Sequence, residues 1–269
     1  MGESEGAWSQ VKRKGRRLRH ITSATSDEVS KTDGLRPNPN PEYSVSDISQ
    51  YHEKIKQKFD ESRCWSGLKE QIDSVASKKK LPTITKAVCL GTGPYDPADG
   101  SAQARKTAHF QTAAFCAVVD HLHGKGGQDI KCFIQEPRFT QVDKEFCAKL
   151  NLEAVDSPDG FALADQDTLV FAIHLELEFC NLALKVPPAA FIGTGLDEWL
   201  RVVDASAEKP GPLVRFFELE GTHDKSPFPD MDYIFSSTSI YLRKPEGEEE
   251  LESKATSPTA DTSVPGESR

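Results

Sequence analysis

The chain has 269 residues, 33 of them basic and 42 acidic, for a net charge of -9. That length suits one domain of roughly 200 residues with tails, enough to bury a core without disulfides or metals. The acidity argues against a chain-wide nucleic-acid surface, and no apolar run approaches the roughly 20 residues of a membrane span.

Residues 1–43 read as a disordered arm, rich in Ser, Thr, Asp, Lys, Arg and Pro and without apolar periodicity. Within it Lys12, Arg13, Lys14, Arg16, Arg17 and Arg19 form a basic cluster in an acidic chain. The cluster is open to three readings: a nuclear-import signal, an RNA-contacting arm or a solvated charged run. No interleaved aromatic side chains support base stacking, so nucleic acid enters only through this arm. No apolar signal region opens the sequence. The six cysteines are scattered without a C-x-x-C pair, which suits reduced core thiols and a cytoplasmic and nuclear protein, with no metal site expected.

The folded domain is expected over 44–244, with a helical lead-in over 44–80 and a core over 86–243. Ser44-Val45-Ser46-Asp47 spells a helix start, followed by Tyr51, Ile55 and Phe59 on one face. Trp65, Leu68 and Ile72 mark a second helical piece, and core packing accounts for these aromatic stripes. Ala87-Val88-Cys89-Leu90 then reads as a strand buried on both faces, running into Gly91-Thr92-Gly93. A helix over about 101–123 follows, with Gly124 to Gly127 as a loop. Strand, glycine turn and helix form the first unit of a Rossmann-like fold, whose first turn commonly cradles a ligand. A full G-x-G-x-x-G would need glycine where Asp96 stands.

Further strands are expected at 130–134, 152–155, 168–173 and 189–192, with helices at 140–150 and 177–184 and another carrying Leu196, Trp199 and Val203. Leu213 to Leu219 and Ser237 to Leu242 read as two late strands, an antiparallel edge pair. Residues 245–269 read as a disordered acidic tail rich in Ser, Thr and Pro. With strand order 3-2-1-4-5, the carboxyl tips gather Gly91, Thr92, Gly93, Glu136, His174, Gly193 and Thr194 as candidate ligand-binding residues. Glu136 stands where a carboxylate often accepts ribose hydroxyls, and a solvated surface carboxylate is its plain alternative. His174 suits a proton carrier, a ligand or a satisfied core residue. No phosphate loop, G-x-S-x-G or H-E-x-x-H is present, and no catalytic set emerges.

Three segments early in the core carry a resemblance: Val88-Cys89-Leu90-Gly91-Thr92-Gly93, His109-Phe110-Gln111-Thr112-Ala113 and Gln135-Glu136-Pro137-Arg138-Phe139-Thr140. Leu169 to His174, Phe191 to Gly195 and the region from Phe228 to Tyr241 extend it. In this order and spacing they resemble the sensitivity-to-red-light-reduced (SRR-like) family over about 86–243. Where that family has Asp-Pro, this chain has Glu136-Pro137. Met-Pro-His-Cys is replaced by Ala172-Ile173-His174-Leu175, and Gly-Asn-Ser by Gly193-Thr194-Gly195. The resemblance implies a regulatory role, in light and circadian-clock signalling in plants and in haem biosynthesis or related regulation in other eukaryotes.

The expectation is therefore an α/β, Rossmann-like domain with a mostly parallel sheet, helices on both faces and a late antiparallel edge pair. Its function is read as regulation through a small-molecule ligand or a protein partner bound at the carboxyl edge, with no cofactor specified. An adenosylmethionine-dependent methyltransferase-like enzyme and an interaction scaffold without a ligand are the alternatives.

Overall fold

The structure is a computed structural model that describes residues 35–78, 81–126, 129–203 and 211–245. The basic cluster at Lys12 to Arg19 and the acidic tail lie outside the described residues.

Two helices lead in, α1 (Val45–Asp60) and α2 (Arg63–Lys78). Ser44 caps α1: its side chain accepts the Asp47 N–H, while the Asp47 carboxylate accepts the Ser44 N–H. Residues 35–43, grouped with the arm by composition, are tied to the domain ahead of that cap, where Asp96 Oδ2 accepts the N–H groups of Glu42 and Tyr43.

The core then runs β1 (Lys86–Leu90), α3 (Ala102–Gly126), β2 (Lys131–Gln135), α4 (Gln141–Lys149), β3 (Glu153–Ala154) and α5 (Asp159–Ala162). It continues as β4 (Thr168–Ala172), α6 (Leu177–Ala183), β5 (Ala190–Thr194), α7 (Leu196–Val202), α8 (Val214–Thr222), β6 (His223–Pro227) and β7 (Thr238–Arg243). The seven strands form one sheet in the order β3-β2-β1-β4-β5-β7-β6. Pairings among β1 to β5 are parallel, while β7 runs antiparallel to both β5 and β6.

Period-two alternation splits the core into two layers. Ala87 and Cys89 of β1, with Leu169 and Phe171 of β4, face α1, α2, α3 and α4. Val88, Leu90, Val170 and Phe191 face α6 and α8 on the opposite side. Strands buried on both faces lack polar alternation, which is why β1, β4 and β5 read as largely apolar runs.

Three expectations need correction. Leu213 to Leu219 is not a strand but leads into α8, because strand alternation would put Arg215 beside Leu213 and Phe217. Three-residue spacing instead gathers Leu213, Phe216 and Leu219 in the core and leaves Phe217 exposed. The partner of β7 is β6, whose His-Asp-Lys-Ser-Pro sequence has no apolar alternation to reveal it; charge and proline suit an edge strand. The glycines after His123 do not end α3 at that point: the helix continues through Gly126. Asp73 of α2 accepts His121 Nε2 at 2.7 Å and Lys125 Nζ at 2.9 Å, clasping this last stretch.

Candidate functional site at the carboxyl edge of the sheet

β1 and β4 are neighbours, so their carboxyl tips meet where the strand order reverses. A cleft of about 240 Å³ opens there, lined by Gly91, Glu136, Arg138, His174, Leu175 and Glu176 among others. Phe161 and Phe179 form part of its wall, stacked at 5.9 Å with their planes 4° apart.

The first glycine turn is a true left-handed turn. Gly91 has φ 73° and Gly93 has φ 86°, a region that excludes most side chains. Gly91 N–H donates to the Gln135 carbonyl at 2.9 Å, which joins the turn to the tip of β2. A Cβ on Gly91 would stand 2.7 Å from Leu175 Cδ1, so Leu175 sits directly on the turn. Thr92 is buried, and its hydroxyl donates to the Gly93 carbonyl at 3.2 Å.

Glu136 is nearly sealed, with its side chain 2% exposed. Its Oε1 accepts Arg138 N–H at 3.1 Å and Arg138 Nε at 2.7 Å. Its Oε2 accepts Gly93 N–H at 2.9 Å and Arg138 Nη2 at 3.3 Å. A carboxylate offers about four lone-pair sites, so none is left for a ribose diol. The carboxylate also holds the Arg138 guanidinium above its ordinary value. Arg138, by contrast, stays 42% exposed at the side chain and keeps an open edge toward the cleft.

His174 sits two residues past the end of β4, in a turn, in the left-handed region at φ 56°, and is exposed. Its Nε2–H donates to the Ser236 carbonyl at 2.8 Å, which ties the cleft rim to the loop before β7. That donation leaves Nδ1 as the ring's remaining polar atom.

The cleft therefore gathers Gly91, Glu136 and His174 from the sequence candidates. Thr92 and Gly93 belong to the same turn but do not line it. Gly193 and Thr194 do not line it either: both belong to β5, paired with Ser239 and Thr238 of β7. Arg138 was missed, although its position two residues after Glu136 in Glu-Pro-Arg was an available signal for a carboxylate–guanidinium pair. Leu35, Phe161 and Phe179 were missed because only the fold brings them here.

The chain matches the SRR1 domain over residues 53–242. It belongs to the SRR1 domain family. No curated protein matches the sequence. The matched span of this SRR1 domain protein begins midway along α1 and ends on β7, so it reaches every strand and includes every residue of the cleft except Leu35.

A second polar cluster lies behind the cleft, in the α1–α3–α4 layer. His52 and His109 are both buried, with Nδ1 atoms 3.3 Å apart. Burial, with Lys56 nearby, pushes His52 down to about 4; burial, with His52 and Arg105, pushes His109 down to about 2. His109 Nε2 is buried without a hydrogen-bond partner. The cysteines are all free, and burial pushes the thiols of Cys64, Cys116, Cys147 and Cys180 up to about 12, which makes them poor nucleophiles. Among the described residues no group of three or more His, Cys, Asp or Glu side chains is arranged to hold a metal ion.

Proposed function

We propose that this SRR1 domain protein is a regulatory protein that binds a small ligand or a partner's polar group in the cleft at the carboxyl edge. One observation carries the reading: Gly91, Arg138 and His174, from three different strand tips, border one concave space with an apolar wall. Arg138 and His174 supply the recognition, since both are exposed and retain unused polar atoms, whereas Glu136 is committed to holding the turn. Light and circadian-clock signalling or control of haem biosynthesis are the settings that the resemblance implies. The basic cluster from Lys12 to Arg19 supports access to the nucleus as well as the cytoplasm. No described helix is long and apolar enough to cross a membrane.

The methyltransferase-like reading has one specific support, the strand order ending in β5-β7-β6 with β7 antiparallel. The saturated Glu136 weighs against it, because the acidic residue that would receive the ribose has no free acceptor.

A thermal-shift panel of adenosylmethionine, ATP and haem separates these readings, because a ligand that binds only the folded state raises the midpoint. The regulatory-site reading expects any compound that stabilises the wild type to lose its shift in His174→Ala and Arg138→Ala. A shift of equal size in both variants places binding elsewhere and overturns the reading.

A further inference from the structure

The cleft at the carboxyl edge carries opposite charges on its two sides, and both line its open space. On the β2 side, Glu136 takes the Nε hydrogen and one Nη2 hydrogen of Arg138. Nη1 and the outer hydrogen of Nη2 remain as a second fork, on a side chain that is 42% exposed. On the β4 side stands Glu176, also exposed, which precedes α6 without using its side chain to cap the helix. His174 presents Nδ1 on the same side, because its Nε2–H is held by the Ser236 carbonyl.

Charge selects the class of ligand. Glu136, Arg138 and Glu176 are the charged lining residues, and Arg138 is matched by the sealed Glu136, so Glu176 leaves the cleft net negative. A simple anion on the Arg138 fork would face Glu176 uncompensated. A simple cation on Glu176 would leave the fork unused. A molecule with one charge of each sign satisfies both, through charge-assisted hydrogen bonds at either end. The reach agrees: β1 lies between β2 and β4, so their tips stand about 10 Å apart, two strand spacings. An α-amino acid head with a hydrogen bond at each end bridges about 8 Å. A cavity of about 150 Å³ holds benzene, so the cleft of about 240 Å³ holds one ring beside such a head and has no room for a nucleoside.

We propose, resting on the reading of this cleft as the binding site, that its ligand is a small zwitterion, an α-amino acid with an apolar side chain of about one ring. The carboxylate sits on the Arg138 fork, the ammonium on Glu176 and His174 Nδ1, and the side chain against the stacked Phe161 and Phe179.

Three probes that share one ring test the class: L-phenylalanine, phenethylamine without the carboxylate, and 3-phenylpropionate without the ammonium. Each is titrated into the full chain and followed by amide chemical shifts. L-Phenylalanine is expected to shift Gly91 and Leu175 saturably, and each of the others to bind about tenfold more weakly, the worth of one charged hydrogen bond. Glu176→Gln is expected to weaken L-phenylalanine about tenfold and to leave 3-phenylpropionate no weaker. Arg138→Lys keeps a cation beside Glu136 but loses the fork; it is expected to weaken L-phenylalanine and leave phenethylamine unchanged. If a singly charged probe binds the cleft as tightly as L-phenylalanine, the cleft stands as a site and its zwitterion class is overturned. Shifts confined to residues outside the cleft, or no saturable shift with any probe, also overturn the class, and the thermal-shift panel decides separately whether the cleft binds another ligand.

Discussion

Gly91-Thr92-Gly93 and Gly193-Thr194-Gly195 are the same tripeptide at the ends of two parallel strands, yet the molecule uses them for different reasons. In the first, both glycines have positive φ and the chain turns. In the second, Gly193 and Thr194 remain in β5, and Gly195 caps α7 at φ -74°. Neither second-site glycine is needed for its backbone angles. A Cβ on Gly193 would stand 2.7 Å from the Ala172 carbonyl and 2.6 Å from Phe191 Cζ; one on Gly195 would stand 2.5 Å from Ser239 Oγ. The first pair is selected by conformation and the second by close approach. Only the first makes a concave edge that other strands can furnish with polar groups.

The largest expected contrast between the two regions is with pH. Tyr95, just beyond the first turn, packs on His109 with ring centroids 4.9 Å apart, and His109 meets His52. Both imidazoles lie below the ordinary value of 6.5 in the folded protein, at about 4 and about 2. Protons therefore bind the unfolded chain first, so stability is complete above pH 6.5 and is lost as pH falls from there, down to about 4 for His52 and about 2 for His109. Because the two rings touch, they lose stability together as one coupled pair rather than as two independent groups. His223, on the side of the second turn, is also lowered by burial, but its bond to the Pro188 carbonyl opposes the shift. Hydrogen exchange at pH 5 should accordingly open α1 and α3 before β5 and β7. Equal loss of protection in both regions would break the contrast.

Substitution at the glycines sharpens it. Gly193→Ala should destabilise by about 3 kcal/mol in urea denaturation, since backbone oxygen cannot yield as a side-chain tip can. Gly93→Ala meets only ordinary contacts, at 3.7 Å and 3.9 Å, and should lose about 1–2 kcal/mol from the left-handed backbone alone. The smallest effect belongs to Gly93→Asn, which should recover part of that loss because asparagine tolerates positive φ. Gly193→Asn should recover nothing relative to Gly193→Ala. If asparagine helps at both sites or at neither, conformation does not separate the two turns.

The same contrast explains what could be read from the sequence. The first turn was legible because strand, glycine and helix signals are local and agree. Its neighbours β2 and β4 followed from strand order, which brought Glu136 and His174 to the same edge. The saturation of Glu136 needed Arg138 folded back through a proline turn, and side-chain geometry of that kind has no periodicity. The reason for Gly193 lies in Ala172 and Phe191, across and along the sheet, and no local signal separates such a glycine from a turn. Likewise α8 was misread because Leu213 to Leu219 is short and apolar, and the choice between periods two and three rested on Arg215.

The sealed first turn is tested most directly by calorimetric titration of adenosylmethionine into the wild-type chain and Glu136→Gln. A Glu136 carboxylate filled by Gly93 and Arg138 predicts no saturable heat from either protein. Micromolar binding to the wild type that disappears in Glu136→Gln would show that the carboxylate is free to receive a ribose, and would contradict the assignment of Glu136 to the turn.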